Sequence, residues 1–402
     1  MDEKIFSELV VVSSVIAKQS KVAQLREQSK KIVSELLTKN RGVFVIAGLR
    51  GAGKTTILAE IYSQEKDSLF INAEVLLKHT TGLLDFLHYA LAKGYKTFLI
   101  DEVHALSSWE KDIKIFYDET KLKIVLSGSS AIALKAKSSE LSRRAQTFEV
   151  KPFSFREYLI FQTKKPFPVI SFNDILRSET RKKLEKEVQP YLHFFLPYIQ
   201  FDALPAAFFD KNQETYINIL ERTIRYDLVS LREVDTLYLE NTFRAIRVIA
   251  SSSPGELSYS GLASSLGVGI KLVKQIISSL QQTGIIYLIP PTGAGKKAVR
   301  KEEKILMPLS FRAALCNHYN LAVPQGALRE DFFVQHVSDC RYLKSGKERR
   351  TPDFVVRDYI FEVGGPSKST EQIEGWKNAY LVKEAVSSSE KEISLYLFGF
   401  LY

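Results

Sequence analysis

The residues most able to do chemistry cluster early in the chain. Gly48-Leu49-Arg50-Gly51-Ala52-Gly53-Lys54-Thr55 fits the pattern G-x-x-x-x-G-K-[ST], with Thr56 directly after it. Glycines let such a loop curl so that successive N–H groups point at phosphate oxygens. A helix that starts there adds the partial positive charge of its N-terminus. Lys54 has the reach and charge for β- and γ-phosphates, and the Thr55 hydroxyl suits Mg²⁺. Further on, Lys96-Thr97-Phe98-Leu99-Ile100 runs straight into Asp101-Glu102. Asp101 is expected to hold Mg²⁺ through water or through Thr55, and Glu102 to orient and polarise an attacking water. Two adjacent acids in a solvated loop would read the same. The apolar strand before them and the phosphate loop upstream make the difference. The expectation is a site for ATP and Mg²⁺.

A second glycine-lysine string is a decoy. In Thr292-Gly293-Ala294-Gly295-Lys296-Lys297 the first loop glycine is replaced by Pro290, and Lys297 stands where Ser or Thr is needed. It reads as a basic turn.

Such a site needs a frame. Residues 1–40 read as helical, then short apolar strands are expected at Val43–Ala47, Leu69–Asn72, Thr97–Ile100, Lys123–Leu126 and Thr147–Val150. Helical stretches alternate with them at Ile57–Tyr62, Gly82–Lys93 and Ala131–Leu141. Strands alternating with helices mean an α/β fold with a parallel sheet covered on both faces. Nearly unbroken apolar strands suit burial on both sides.

These pieces, in order, resemble the AAA+-type P-loop ATPases of bacteria and archaea that carry a C-terminal domain of unknown function. The resemblance runs through Gly48–Thr56, Phe70-Ile71-Asn72, Leu99-Ile100-Asp101-Glu102-Val103-His104 with Trp109 and Asp118, and Ser127-Gly128-Ser129-Ser130. It continues through Arg143-Arg144, Pro152-Phe153-Ser154-Phe155-Arg156-Glu157-Tyr158 and Arg225-Tyr226-Asp227 to the end of the chain. It implies that Ser129 or Ser130 is a polar sensor beside the γ-phosphate. It also implies that Arg143 or Arg144 is an arginine finger offered to a neighbouring subunit of a homo-oligomer. The plain alternatives are a Ser-rich turn and two solvated arginines. The sequence departs from the resemblance at Phe201-Asp202, where paired glycines are common.

Beyond the ATPase, Tyr259–Leu266 reads as a helix, Gly267-Val268-Gly269 as a turn and Ile270–Gln282 as a second helix. Val273, Ile276, Ile277 and Leu280 make its apolar stripe, and Lys271, Lys274 and Gln275 share the opposite face. A strand at Ile285–Ile289 and a return at Lys304–Met307 would flank the basic run of Lys296, Lys297 and Arg300. That is a winged helix with a basic wing, suited to duplex DNA or to protein contacts. The resemblance further implies a C-terminal domain like the PD-(D/E)xK nucleases. Its vestigial site would be Glu330, Asp353 and Glu362. Glu362-Val363-Gly364 stands where Glu-x-Lys is needed, so an inactive binding or scaffold domain is expected, with Lys368 on the following loop a candidate substitute.

The expected modules are therefore an ATPase core over 1–160, a helical lid over 161–240, a winged helix over 241–310 and a restriction-endonuclease-like α/β domain over 311–402. A chain of 402 residues with 45% hydrophobic and 25% charged residues can bury several cores. Its net charge of +10 fits a polyanionic partner. Cys316 and Cys340 are too few for a disulfide scaffold or a Cys-rich zinc module. The apolar stretch Leu9–Ala17 is far short of the ~20 residues that span a bilayer, and no signal peptide is seen. A cytoplasmic, Mg²⁺-dependent ATP-hydrolysing switch coupled to DNA is the leading expectation. A non-hydrolysing ATP-dependent scaffold and an ATP-regulated nuclease are the alternatives.

Overall fold

The computed structural model describes residues 2–79, 82–129, 140–231, 234–254, 257–293, 302–343 and 351–402. The chain forms two compact units, which divide it otherwise than the linear modules. The first comprises residues 1–151, 222–233 and 282–284, and the second 152–221, 234–281 and 285–402.

In the first unit five strands make one sheet: β1 (Gly42–Gly48), β2 (Ser68–Asn72), β3 (Thr97–Asp101), β4 (Lys123–Gly128) and β5 (Ala145–Val150). Their order is β2-β3-β4-β1-β5, and every pairing is parallel. Alternate side chains point to opposite faces, and both faces are buried. Val43, Val45, Leu69, Ile71, Phe98, Ile100, Ile124 and Leu126 join one core. Phe44, Ile46, Phe70, Leu99 and Val125 join the other. Helices α1 (Glu3–Gln19), α2 (Glu27–Leu37), α3 (Lys54–Gln64), α4 (Ala73–Leu76), α5 (Leu83–Ala92) and α6 (Trp109–Thr120) cover the faces. The first core takes Phe86 from α5 and Trp109, Ile113 and Phe116 from α6. The second takes Ile32 and Leu36 from α2 and Ile57, Leu58 and Ile61 from α3. Most of the expected helix at 131–141 falls outside the described residues.

The second unit has a largely aromatic core. Phe153, Phe155 and Tyr158, Phe195 and Tyr198, and Phe332, Phe333, Phe361 and Phe398 belong to one cluster. Residues far apart in sequence thus share one interior. The helix Phe155–Thr163 starts at a capping box made by Ser154 and Glu157. Tyr259–Leu266 and Ile270–Thr283 form two helices around Gly267, which takes a left-handed φ of 68°. They lead into an antiparallel ribbon of β6 (Tyr287–Ile289) and β7 (Lys304–Leu306). Lys296, Lys297 and Arg300 lie outside the described residues. A second sheet joins β8 (Cys340–Tyr342), β9 (Phe354–Val356), β10 (Tyr359–Gly364), β11 (Ala379–Lys383) and β12 (Glu392–Ser394). β8, β9 and β10 are antiparallel neighbours, and β10, β11 and β12 are parallel. The buried Arg312 binds Asp331 at 2.6 Å and donates to the carbonyls of Ile249, Ala250 and Ser252. This satisfies carbonyls at the end of the helix Thr236–Ser251, which lack partners within it.

Candidate active site

The phosphate loop leaves β1 and enters α3, at the carboxyl ends of the parallel strands. Gly48 is required by space: a Cβ there would lie 2.3 Å from the carbonyl oxygen of Val150. Gly51 and Gly53 have φ of 84° and 99°, a region costly for other residues. Lys54 is buried at the start of α3. Its ammonium donates to the carbonyls of Gly48 at 3.0 Å and Leu49 at 3.2 Å. Burial pulls its pKa below the ordinary lysine value, against the attraction of Glu102.

β4 is interposed between β1 and β3, so the acids reach the loop across one strand. The Thr55 hydroxyl donates to Asp101 Oδ2 at 3.0 Å. The Ser127 hydroxyl, from β4, bonds Asp101 Oδ1, and the amide of Asn72 donates to Oδ2 at 3.5 Å. Burial and the neighbouring charge of Glu102 push Asp101 up to about 6, against those hydroxyl bonds. A buried carboxylate held by neutral donors beside a threonine hydroxyl fits a hard divalent cation. Glu102 follows in a left-handed conformation, φ 53° and ψ 40°, uncommon outside glycine and typical of constrained sites.

The structure adds a set of ion pairs around the loop that the sequence did not assign. Arg50, inside the loop, binds Asp227 Oδ1 at 3.1 Å and lies 3.7 Å from Glu102 and 3.8 Å from Glu74. His104 Nε2 is 3.1 Å from the same Asp227 oxygen, and its Nδ1 is 3.4 Å from Glu102. Burial raises the pKa of Asp227, but the His104 hydrogen bond and the Arg50 charge outweigh it and hold the carboxyl below its ordinary range. Asp227 had appeared only within the resemblance, as part of Arg225-Tyr226-Asp227. No local pattern tied it to the loop.

The other expected site residues fall in different places. Ser129 is buried, with no hydrogen-bond partner for its hydroxyl among the described residues, and Ser130 lies outside them. Arg144 is engaged by Asp118 of α6 through Nε at 2.9 Å and a terminal nitrogen at 3.0 Å, while Arg143 is exposed. Lys271 and Lys274 are exposed and Gln275 is half-buried, opposite the buried Val273, Ile276, Ile277 and Leu280. In the second unit Glu330, Asp353 and Glu362 are each matched by a lysine. Lys304 binds Glu330 and lies 3.4 Å from Asp353, and Lys368 lies 2.9 Å from Glu362. Among the described residues no group of three or more His, Cys, Asp or Glu is arranged to hold a metal ion. Among them too, no helix is long and apolar enough to cross a membrane.

Known proteins resemble this chain in part. Residues 40–159 match the model of an AAA domain, and residues 203–308 that of a domain of unknown function (DUF8612). The uncharacterised protein MJ1637 of Methanocaldococcus jannaschii is 26% identical over 379 residues, 86% of this chain and 80% of its own length. A second uncharacterised protein of that organism, MJ1544, is 25% identical over 62% of this chain and 53% of its own. Among solved structures, the Saccharomyces cerevisiae Hsp104–ADP complex is matched at a TM-score of 0.32 and 18% identity. That match covers 69% of this chain and 41% of the Hsp104 chain. A Pyrococcus horikoshii signal-transduction ATPase with a tetratricopeptide repeat sensor is matched at 0.26 and 12%, over 79% and 45%. The chain spans less than half of either structure.

Proposed function

We propose that this chain binds ATP with Mg²⁺ and hydrolyses it as a molecular switch. The observation that carries the reading is the convergence of Lys54, Thr55, Asp101 and Glu102 at the carboxyl ends of β1 and β3. Lys54 exchanges two neutral carbonyl acceptors for charged phosphate oxygens, which bind an ammonium more strongly. Thr55 and Asp101 are the residues that would hold Mg²⁺, which neutralises charge on the phosphates when bound. Glu102 accepts a proton from the attacking water and orients it. The unpartnered Ser129 hydroxyl is suited to bond that water or the phosphate. Arg144 is committed to Asp118, so Arg143 is the arginine offered to a neighbouring copy. Phosphate release with Mg²⁺ tests the reading: Glu102→Gln is expected to lower kcat by about 10²- to 10⁴-fold. Equal rates in the two proteins would leave only ATP-dependent scaffolding.

A second reading concerns duplex DNA. It is supported by the exposed Lys271 and Lys274 on the second of two helices that lead into an antiparallel ribbon, a winged-helix arrangement. DNA binding measured over a salt series should weaken as salt rises, and Lys271→Ala/Lys274→Ala should flatten the slope by about two. No binding at low salt would remove DNA and favour a protein partner.

A further inference from the structure

We propose that Asp227 is a positioning residue for hydrolysis, keeping Arg50 from capturing the carboxylate of Glu102. The inference rests on the ATPase reading of the site. Its basis is a square of four buried or nearly buried groups. Arg50 and His104 each stand between the same two carboxylates, those of Asp227 and Glu102. The short contacts all go to Asp227, at 3.1 Å from Arg50 and 3.1 Å from His104. The contacts to Glu102 are 3.7 and 3.4 Å. Among the described residues His104 Nδ1 has no hydrogen-bond partner, which leaves Nε2 to make the ring's hydrogen bond, with Asp227. Glu102 is therefore close to a guanidinium without being fixed on it.

The energetics give the direction. The Arg50 side chain is only 14% exposed, so its charge needs a nearby anion. Asp227, at 1% exposure, supplies one at hydrogen-bond distance. Glu74 lies farther off at 3.8 Å and is 43% exposed, so water screens it. Without the Asp227 charge, Glu102 is the remaining buried anion in reach. A short Arg50–Glu102 pair would hold the carboxylate on the guanidinium and draw it from the water it must orient. Asp227 lies in the segment 222–233, which packs with the first unit although the chain on both sides belongs to the second. The segment thus delivers a charge to the catalytic base.

The test is steady-state hydrolysis by the full chain at saturating Mg²⁺ and ATP, with binding of a fluorescent ATP analogue measured separately. Asp227→Asn is expected to lower kcat by about 10- to 100-fold while analogue affinity stays within about threefold. Adding Arg50→Gln to Asp227→Asn is expected to raise kcat above that of Asp227→Asn alone, a recovery that a merely structural role for Asp227 does not give. Should Asp227→Asn fail to fold, the comparison is made with Asp227→Glu, whose extra methylene displaces the carboxylate. A fall in kcat and recovery by Arg50→Gln are expected there too. Unchanged kcat in the Asp227 variant, with Glu102→Gln inactive, overturns this proposal and leaves the ATPase reading standing. A double variant no faster than the single one also overturns it. Equal phosphate release by wild type and Glu102→Gln overturns the ATPase reading, and this proposal with it.

Discussion

Each unit buries carboxylates near lysines, and the two clusters treat charge in opposite ways. In the first unit Asp101 is held by the hydroxyls of Thr55 and Ser127 and the Asn72 amide, while Lys54 rests on carbonyls. Among the described residues Asp101 and Lys54 have neutral hydrogen-bond partners, which suits a site for a metal–phosphate ligand. In the second unit Lys304 lies on Glu330 and beside Asp353, and Lys368 on Glu362. The cations are built into the chain. One cluster leaves its acid and its lysine on neutral partners, an open arrangement, and the other sets lysines against its acids, a closed one.

The largest effect should come from opening the closed cluster. Lys304→Met removes the common cation of the half-buried Glu330 and Asp353 and should destabilise the second unit by about 3–5 kcal/mol. Urea unfolding followed by circular dichroism checks this, and a loss under about 1 kcal/mol would mean the cluster is not closed by Lys304. The matching change in the open cluster should do something different. Lys54→Ala is expected to weaken ATP binding by about 100-fold, since one charged hydrogen bond to phosphate contributes about 1.5–3 kcal/mol. It should leave the unfolding midpoint nearly unchanged, because the hydrogen bonds of Lys54 among the described residues go to loop carbonyls. Calorimetry against denaturation separates the two outcomes.

The smallest effect concerns pH. Burial and the charge of Asp353 push Glu362 up to about 7, from 4.5 in an ordinary glutamate, against its bond to Lys368. A folded-state value above the unfolded one means that the folded chain binds more protons between those values. The contribution is complete below pH 4.5 and is lost as pH rises toward 7. The second unit should therefore melt a few degrees lower at pH 7.5 than at pH 5.5, and Glu362→Gln should flatten that dependence. A Glu362→Gln profile that parallels the wild type would assign the pH dependence to other groups.

Much of the first unit was legible because its signals are local. The continuous burial of β1 and of the run Thr97–Asp101 follows from apolar composition within a few residues. The helix pair around Gly267 was equally readable, since a glycine with positive φ marks its turn. Lys368 is a case between: the sequence offers it as a candidate substitute near Glu362, and the fold of the chain over Gly364 brings it to 2.9 Å. Arg143 and Arg144 were indistinguishable as neighbours until Asp118, 26 residues from Arg144, engaged one of them.

The sequence by itself determined the phosphate loop, the acidic end of β3 and the alternation of strands and helices. Each depends on backbone conformation and on burial patterns that repeat over a few residues. The tertiary structure alone decided which charges meet. Arg50 and Asp227 are 177 residues apart, and His104 and Asp227 are 123 apart. The energy of a buried ion pair depends on distance and on exclusion of water, and neither is encoded in spacing along the chain. That is why the same residue types form an open site at one place and a closed one at another.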